Sequence, residues 1–96
     1  MVNVDTSKRG KRRVVFSCRA DAEASIFVAG SFNDWDSHFT KMKYDSELGA
    51  FTCEIKLAPG TYEYKFVING VWGLDRENDN VSANDFGTLN SVVEVI

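Results

Sequence analysis

The residues able to carry acid–base, nucleophilic or metal chemistry in this 96-residue chain are few and poorly arranged for it. Asp34 and Asp36 are paired carboxylates, which serve as general acid and base when an apolar pocket keeps one of them protonated. They flank an indole in the polar stretch Asn33-Asp34-Trp35-Asp36, where nothing supplies such a pocket, so solvated loop acids are expected. Asp75, Glu77 and Asp79 place an acid at every second position, as the start of a calcium loop does. Asn80, however, stands where that loop has glycine, and no glutamate occupies its twelfth position. The single histidine, His38, has no nucleophile and acid spaced to work with it, and Ser31 sits in Ala29-Gly30-Ser31-Phe32-Asn33 rather than in a nucleophile elbow. Cys18, Cys53 and His38 fall on separate elements without a metal-ligand spacing. The inventory predicts a protein that is not an enzyme and needs no metal or cofactor.

Stacking and hydrogen bonding are better provided for. Trp35 stands in a polar loop after an apolar segment, and an indole between two carboxylates is more naturally exposed than buried. Asn69-Gly70 is a strong signal for a two-residue hairpin turn, which fixes the pairing of its flanks: Ile68 with Val71, Val67 with Trp72, Phe66 with Gly73, Lys65 with Leu74. Tyr64, Phe66 and Ile68 then fill the apolar face, and Lys65 and Trp72 lie diagonal to each other on the opposite one. Two exposed indoles with a lysine and amides nearby suit carbohydrate, whose C–H face stacks on a ring while its hydroxyls take hydrogen bonds. Burying roughly 100 Å² on each indole at about 25 cal/mol per Å² gives about 5 kcal/mol gross. Association costs at least about 4 kcal/mol, so a chain of several sugars is required.

These side chains must be held by strands, because the chain alternates almost throughout. Val14, Phe16 and Cys18 alternate with Arg13, Ser17 and Arg19; Phe51, Cys53, Ile55 and Leu57 with Thr52, Glu54 and Lys56; Tyr62, Tyr64, Phe66 and Ile68 with Thr61, Glu63, Lys65 and Asn69. Further strands are expected at 25–30, around 40–44, at 71–74 and at 89–96, separated by turn signals such as Ala58-Pro59-Gly60. About seven short strands predict an all-β, antiparallel sandwich. The order Cys18, Trp35, Cys53 superficially matches an antibody core, but Cys53 is central rather than late and follows Phe51 instead of a tyrosine. Two buried thiols in a reducing compartment are expected, with a disulfide between facing sheets as the alternative.

Charge narrows the partners. Lys8, Arg9, Lys11, Arg12 and Arg13 hold five of the eleven cations, leaving six against thirteen carboxylates from Val14 onward. A body this acidic disfavours a phosphate backbone, so no nucleic-acid partner is expected. The division expected is a flexible basic arm over 1–12 and one domain over 13–96. No run nears the roughly 18 apolar residues of a membrane helix and the first thirteen residues lack a signal-peptide core, so no membrane partner and a cytoplasmic location are expected.

The stretches Phe27-Val28-Ala29-Gly30-Ser31-Phe32-Asn33-Asp34-Trp35, Gly60-Thr61-Tyr62-Glu63-Tyr64-Lys65-Phe66-Val67-Ile68-Asn69-Gly70-Val71-Trp72 and Phe86-Gly87-Thr88-Leu89-Asn90 together resemble the glycogen-binding domain of the AMP-activated protein kinase β subunit. That domain belongs to carbohydrate-binding module family 48, which includes early-set domains of glycogen-branching and debranching enzymes. The resemblance covers about three quarters of the chain. It implies an immunoglobulin-like sandwich that binds α-1,4-linked glucans such as glycogen, starch, maltodextrin or cyclodextrin, without catalysis. It assigns Trp35 and Trp72 as stacking platforms, Lys65 as a donor to sugar hydroxyls, and Thr88 and Asn90 as polar contacts. Phe86 takes the place of a bulky apolar residue, usually leucine, that enters the curve of the glucan. This sequence departs from the kinase subunits in a longer segment between Trp35 and Lys65 and in Gly73-Leu74-Asp75-Arg76 after Trp72. A second reading makes the domain an interaction or regulatory module of a kinase or glucan-metabolising enzyme, with sugar binding residual or absent.

Overall fold

The computed structural model describes residues 1–5 and 10–96. Among these, nine strands follow one another: β1 (Val2–Asp5), β2 (Arg12–Cys18), β3 (Ile26–Gly30), β4 (Lys43–Asp45), β5 (Ala50–Leu57), β6 (Gly60–Ile68), β7 (Val71–Gly73), β8 (Val81–Ala83) and β9 (Leu89–Val95). They form two antiparallel sheets, β1-β2-β5-β4 and β3-β6-β9-β8, the second carrying β7 on β6. The alternation that predicted strands also selects the core. Val14 and Phe16 of β2 and Tyr64 and Phe66 of β6 are buried, whereas Arg13, Thr61 and Glu54 are solvent-exposed. Phe16 and Tyr64 come from opposite sheets and meet edge to face with ring centroids 4.8 Å apart, joining the two layers.

Strand β6 is the frame of the site. One edge pairs with β3, Ala29 opposite Lys65 and Phe27 opposite Val67. The other edge is shared: Gly60–Tyr64 pair with β9, and Phe66–Ile68 pair with β7. The chain then leaves each sheet at a defined point. Thr40 and Met42 bond to the free edge of β3, Val28 N to Thr40 O at 3.0 Å and Met42 N to Ile26 O at 2.8 Å, before Lys43–Asp45 cross to pair with β5.

Three expectations are corrected. Residues 2–5, assigned to a flexible arm over 1–12, form strand β1, in register with β2 from Val2 opposite Phe16 to Asp5 opposite Arg13. Arg12, also assigned to that arm, is in β2 beside Arg13, where Arg12 Nε donates to Ile96 O at 2.8 Å and Arg13, as its place in the alternating strand implied, extends the strand and pairs with Glu54; Lys8 and Arg9 lie outside the described residues. Cys18 and Cys53 are the two free thiols expected, but they lie on neighbouring strands of one sheet and not on the facing sheets that the disulfide alternative needed, since Phe16 lies opposite Cys53 and Phe51 opposite Cys18. Burial pushes both thiols up, Cys53 to about 12, so neither is a ready nucleophile.

Candidate functional site

One wall of the site is the β6–β7 hairpin. Asn69 and Gly70 both take positive φ, 50° and 81°, the geometry that an Asn-Gly pair offers a tight turn, and the register is the expected one, Val67 opposite Trp72. Lys65, Val67 and Trp72 consequently share the outer face of the sheet. Val67 is buried beneath this face, while Trp72 keeps 44% of its surface exposed, so no loop covers it.

Trp35 is placed by the turn after β3. Gly30 has no room for a side chain: a Cβ would lie 2.5 Å from Glu63 O and 2.6 Å from the Phe32 ring. Asn33 then ties the turn together, accepting from Gly30 N at 2.9 Å while its amide donates to Val28 O and Thr40 Oγ1. Asp34 and Trp35 sit in the left-handed region with φ of 56° and 58°, a conformation that costs a bulky residue free energy. The bond from Trp35 N to Gly30 O at 2.9 Å holds it there, and the indole reaches the outer face of the sheet.

The remaining wall is the loop between β8 and β9, organised by Asn84. Its Oδ1 accepts from Phe86 N at 3.0 Å and Thr88 N at 3.1 Å; its Nδ2 donates to Thr88 Oγ1 at 2.6 Å and Asn90 Oδ1 at 3.1 Å. Its main chain closes the loop as well, through Asn84 N to Thr88 O and Gly87 N to Asn84 O. Phe86, at the loop tip, is 91% exposed. Lys65 Nζ donates to Thr88 Oγ1 at 3.2 Å, which links this loop to the β6 wall.

Together these walls enclose an open groove of about 540 Å³, and all six residues expected from the sequence line it: Trp35, Lys65, Trp72, Phe86, Thr88 and Asn90. Asn90 differs from the rest in being buried, with its amide spent on Glu63 Oε1 at 3.1 Å and on Asn84. Sequence reasoning missed Glu63, Asn84 and Asp85, which also line the groove. Glu63 could have been found, since it shares a strand face with Lys65; Asn84 had only the local signal of an asparagine two and four residues before amides that need an acceptor.

The alternating acids from Asp75 onward and the histidine lie elsewhere. Asp75, the first of the three alternating acids that resemble a calcium loop, is 3% exposed, takes the Tyr64 hydroxyl on Oδ2 at 2.6 Å and the Met1 ammonium on Oδ1, and its own N–H bonds Ser91 Oγ. Burial and this carboxylate push the Tyr64 hydroxyl up, so it stays protonated as a donor. Asn78 Nδ2 donates to the same hydroxyl and to Val92 O, pinning the 75–78 segment to the sheet. His38 packs its ring 5.5 Å from Phe27 and bonds the neighbouring Ser37 hydroxyl. Among the described residues no group of three or more His, Cys, Asp or Glu is gathered as metal ligands would be.

A family model described as the glycogen recognition site of AMP-activated protein kinase matches residues 13–96, the whole sandwich from β2 onward. The chain belongs to this family. The glycogen-recognition domain is 35% identical over 72 residues to the rice protein FLOURY ENDOSPERM 6, chloroplastic (Oryza sativa subsp. japonica), covering 75% of this chain and 13% of that protein. It is 30% identical over 70 residues to the human 5'-AMP-activated protein kinase subunit beta-2, covering 73% of this chain and 24% of the subunit. The chain thus spans under a quarter of the length of either of these two relatives. Its fold is that of part of a maltogenic amylase from S. marinus, with a TM-score of 0.82 over 100% of this chain and 16% of that one, at 19% identity.

Proposed function

We propose that this glycogen-recognition domain binds α-1,4-linked glucan in the groove between Trp35, Trp72 and Phe86, as a non-catalytic module. The observation that carries the reading is the convergence of an exposed indole (Trp72), a partly buried one (Trp35), a lysine and an exposed phenylalanine on one concave surface from three separate elements. Each indole stacks on the C–H face of a glucose, and Lys65 and Thr88 give hydrogen bonds to its hydroxyls. Phe86 enters the curve of the chain. An α-1,4 glucan is curved, so a concave groove with a projecting ring selects it over flat cellulose. Burial on the two indoles sums to about 5 kcal/mol gross, which favours chains long enough to touch both.

The test is a titration of tryptophan fluorescence with maltoheptaose, with cellohexaose as control. A saturable change with maltoheptaose alone, with a dissociation constant between about 1 μM and 1 mM, is expected. No change with either sugar, or an equal change with both, would overturn the reading. Release of reducing sugar from glycogen above background would overturn the non-catalytic part. Association with a kinase or glucan-metabolising enzyme is a second reading, supported by the similarity to a kinase subunit of which this domain covers 24%. Trp72→Ala separates the two, because loss of glucan binding leaves docking of a protein partner intact.

A further inference from the structure

Hydrogen-bond accounting in the groove points to a residue outside the six already considered. The two main-chain amides bound to Asn84 Oδ1 fix the orientation of that side chain, so its Nδ2 must be what faces Thr88 and Asn90. Thr88 Oγ1 therefore receives two donors, Asn84 Nδ2 at 2.6 Å and Lys65 Nζ at 3.2 Å, and its remaining capacity is to donate its own proton. Lys65 has two further N–H groups to give. This side of the groove offers donors.

Glu63 is the counterpart. It lies two residues before Lys65 on the same face of β6, and Asn90 Nδ2 holds its Oε1 at 3.1 Å. Its Oε2 has no partner among the described residues, and no cation among them lies within ion-pair distance of either oxygen, Lys65 being turned to Thr88. Glu63, half-buried, thus lines the groove with one carboxylate oxygen that no described residue binds. A ligand that satisfies both sides must accept from Lys65 and Thr88 and also donate a hydrogen bond to Glu63. A sugar hydroxyl does both. A phosphate dianion accepts only, and a phosphate monoester's charge of about −1.5 to −2 meets the carboxylates of Glu63 and Asp85 with Lys65 as the one cation among the described residues that line the groove.

We propose that Glu63 is a further glucan-contact residue, accepting a hydrogen bond from a sugar hydroxyl through Oε2, and that it makes the groove select underivatised glucan over glucan phosphorylated on its hydroxyls. The proposal rests on the glucan-binding reading above. It is tested by calorimetric titration of the wild-type chain and Glu63→Gln with maltoheptaose and with maltoheptaose bearing one phosphate monoester per glucose. The amide keeps the oxygen that Asn90 binds, so the variant retains the loop while losing the charge. The wild type is expected to prefer the neutral sugar by about tenfold or more, and the variant to shrink that ratio by about three- to tenfold, since a charged acceptor is roughly twice as strong as a neutral one. Comparing ratios cancels the repulsion from the rest of the acidic body, which both proteins share. A ratio unchanged in the variant, or an equal loss for both sugars, overturns the assignment of Glu63 while leaving the glucan reading in place. Failure of the wild type to bind either sugar overturns both.

Discussion

Lys65 and Trp72 stand on strands β6 and β7, where ladder hydrogen bonds and a two-residue turn set their positions, whereas Phe86 and Thr88 stand on a loop that one side chain, Asn84, holds in shape. The first wall is specified by the backbone: any residue in place of Trp72 would point the same way. The second is specified by four side-chain hydrogen bonds from a single amide. A groove built this way has a rigid platform and an adjustable lip. Losses on the platform should remove contact area alone, while losses at the lip should remove geometry.

The largest effect is expected on the platform. Trp72→Ala removes roughly 100 Å² of stacking surface, about 2.5 kcal/mol, and should weaken maltoheptaose about 70-fold in calorimetry, with the unfolding midpoint unchanged because the ring is 44% exposed. Next comes the anchor of the segment leading from the platform to the lip. Tyr64→Phe deprives buried Asp75 of its 2.6 Å donor, and urea unfolding should show a loss of about 1–3 kcal/mol with affinity nearly unchanged. At the lip, Asn84→Ala should weaken maltoheptaose about tenfold, roughly 1.4 kcal/mol, and speed hydrogen exchange at the amides of Phe86 and Thr88, while those of β6 and β7 keep their protection.

The smallest effect separates the core from both walls. Cys53, moved from 9.0 to about 12, and Tyr64, moved up from 10.0, are raised in the folded state by burial first. Their contribution is complete below about pH 9. It declines as pH rises from there toward 12, because the unfolded chain releases these protons first. Urea midpoints should fall by about 1 kcal/mol of stability between pH 8 and 10, and Cys53→Ala should remove part of that fall.

The same division explains what could be read in the sequence. Period-two alternation and the Asn69-Gly70 turn are local signals, and they were enough to place Lys65 and Trp72 together and to expect a sandwich. Strands β1 and β8 were missed because each is short and finds its register only against a partner, β2 or β9. Asp75 reads in the sequence only as the first of three alternating acids, because its hydroxyl donor, Tyr64, lies on another strand and alternation gives no hint of the pairing. Phe86, Thr88 and Asn90 were expected through family resemblance alone; no periodicity links them to the platform, and the amide that does so comes from a residue with no pattern of its own.

The claim that platform and lip form one binding surface is tested most directly by following backbone amide and indole N–H resonances during a titration with β-cyclodextrin. The account predicts that the indoles of Trp35 and Trp72 and the amides of Lys65, Phe86 and Thr88 shift together and saturate with one dissociation constant, while the outer face of β1-β2-β5-β4 stays still. Shifts confined to one wall, two walls saturating at different concentrations, or shifts centred on the other sheet would contradict it.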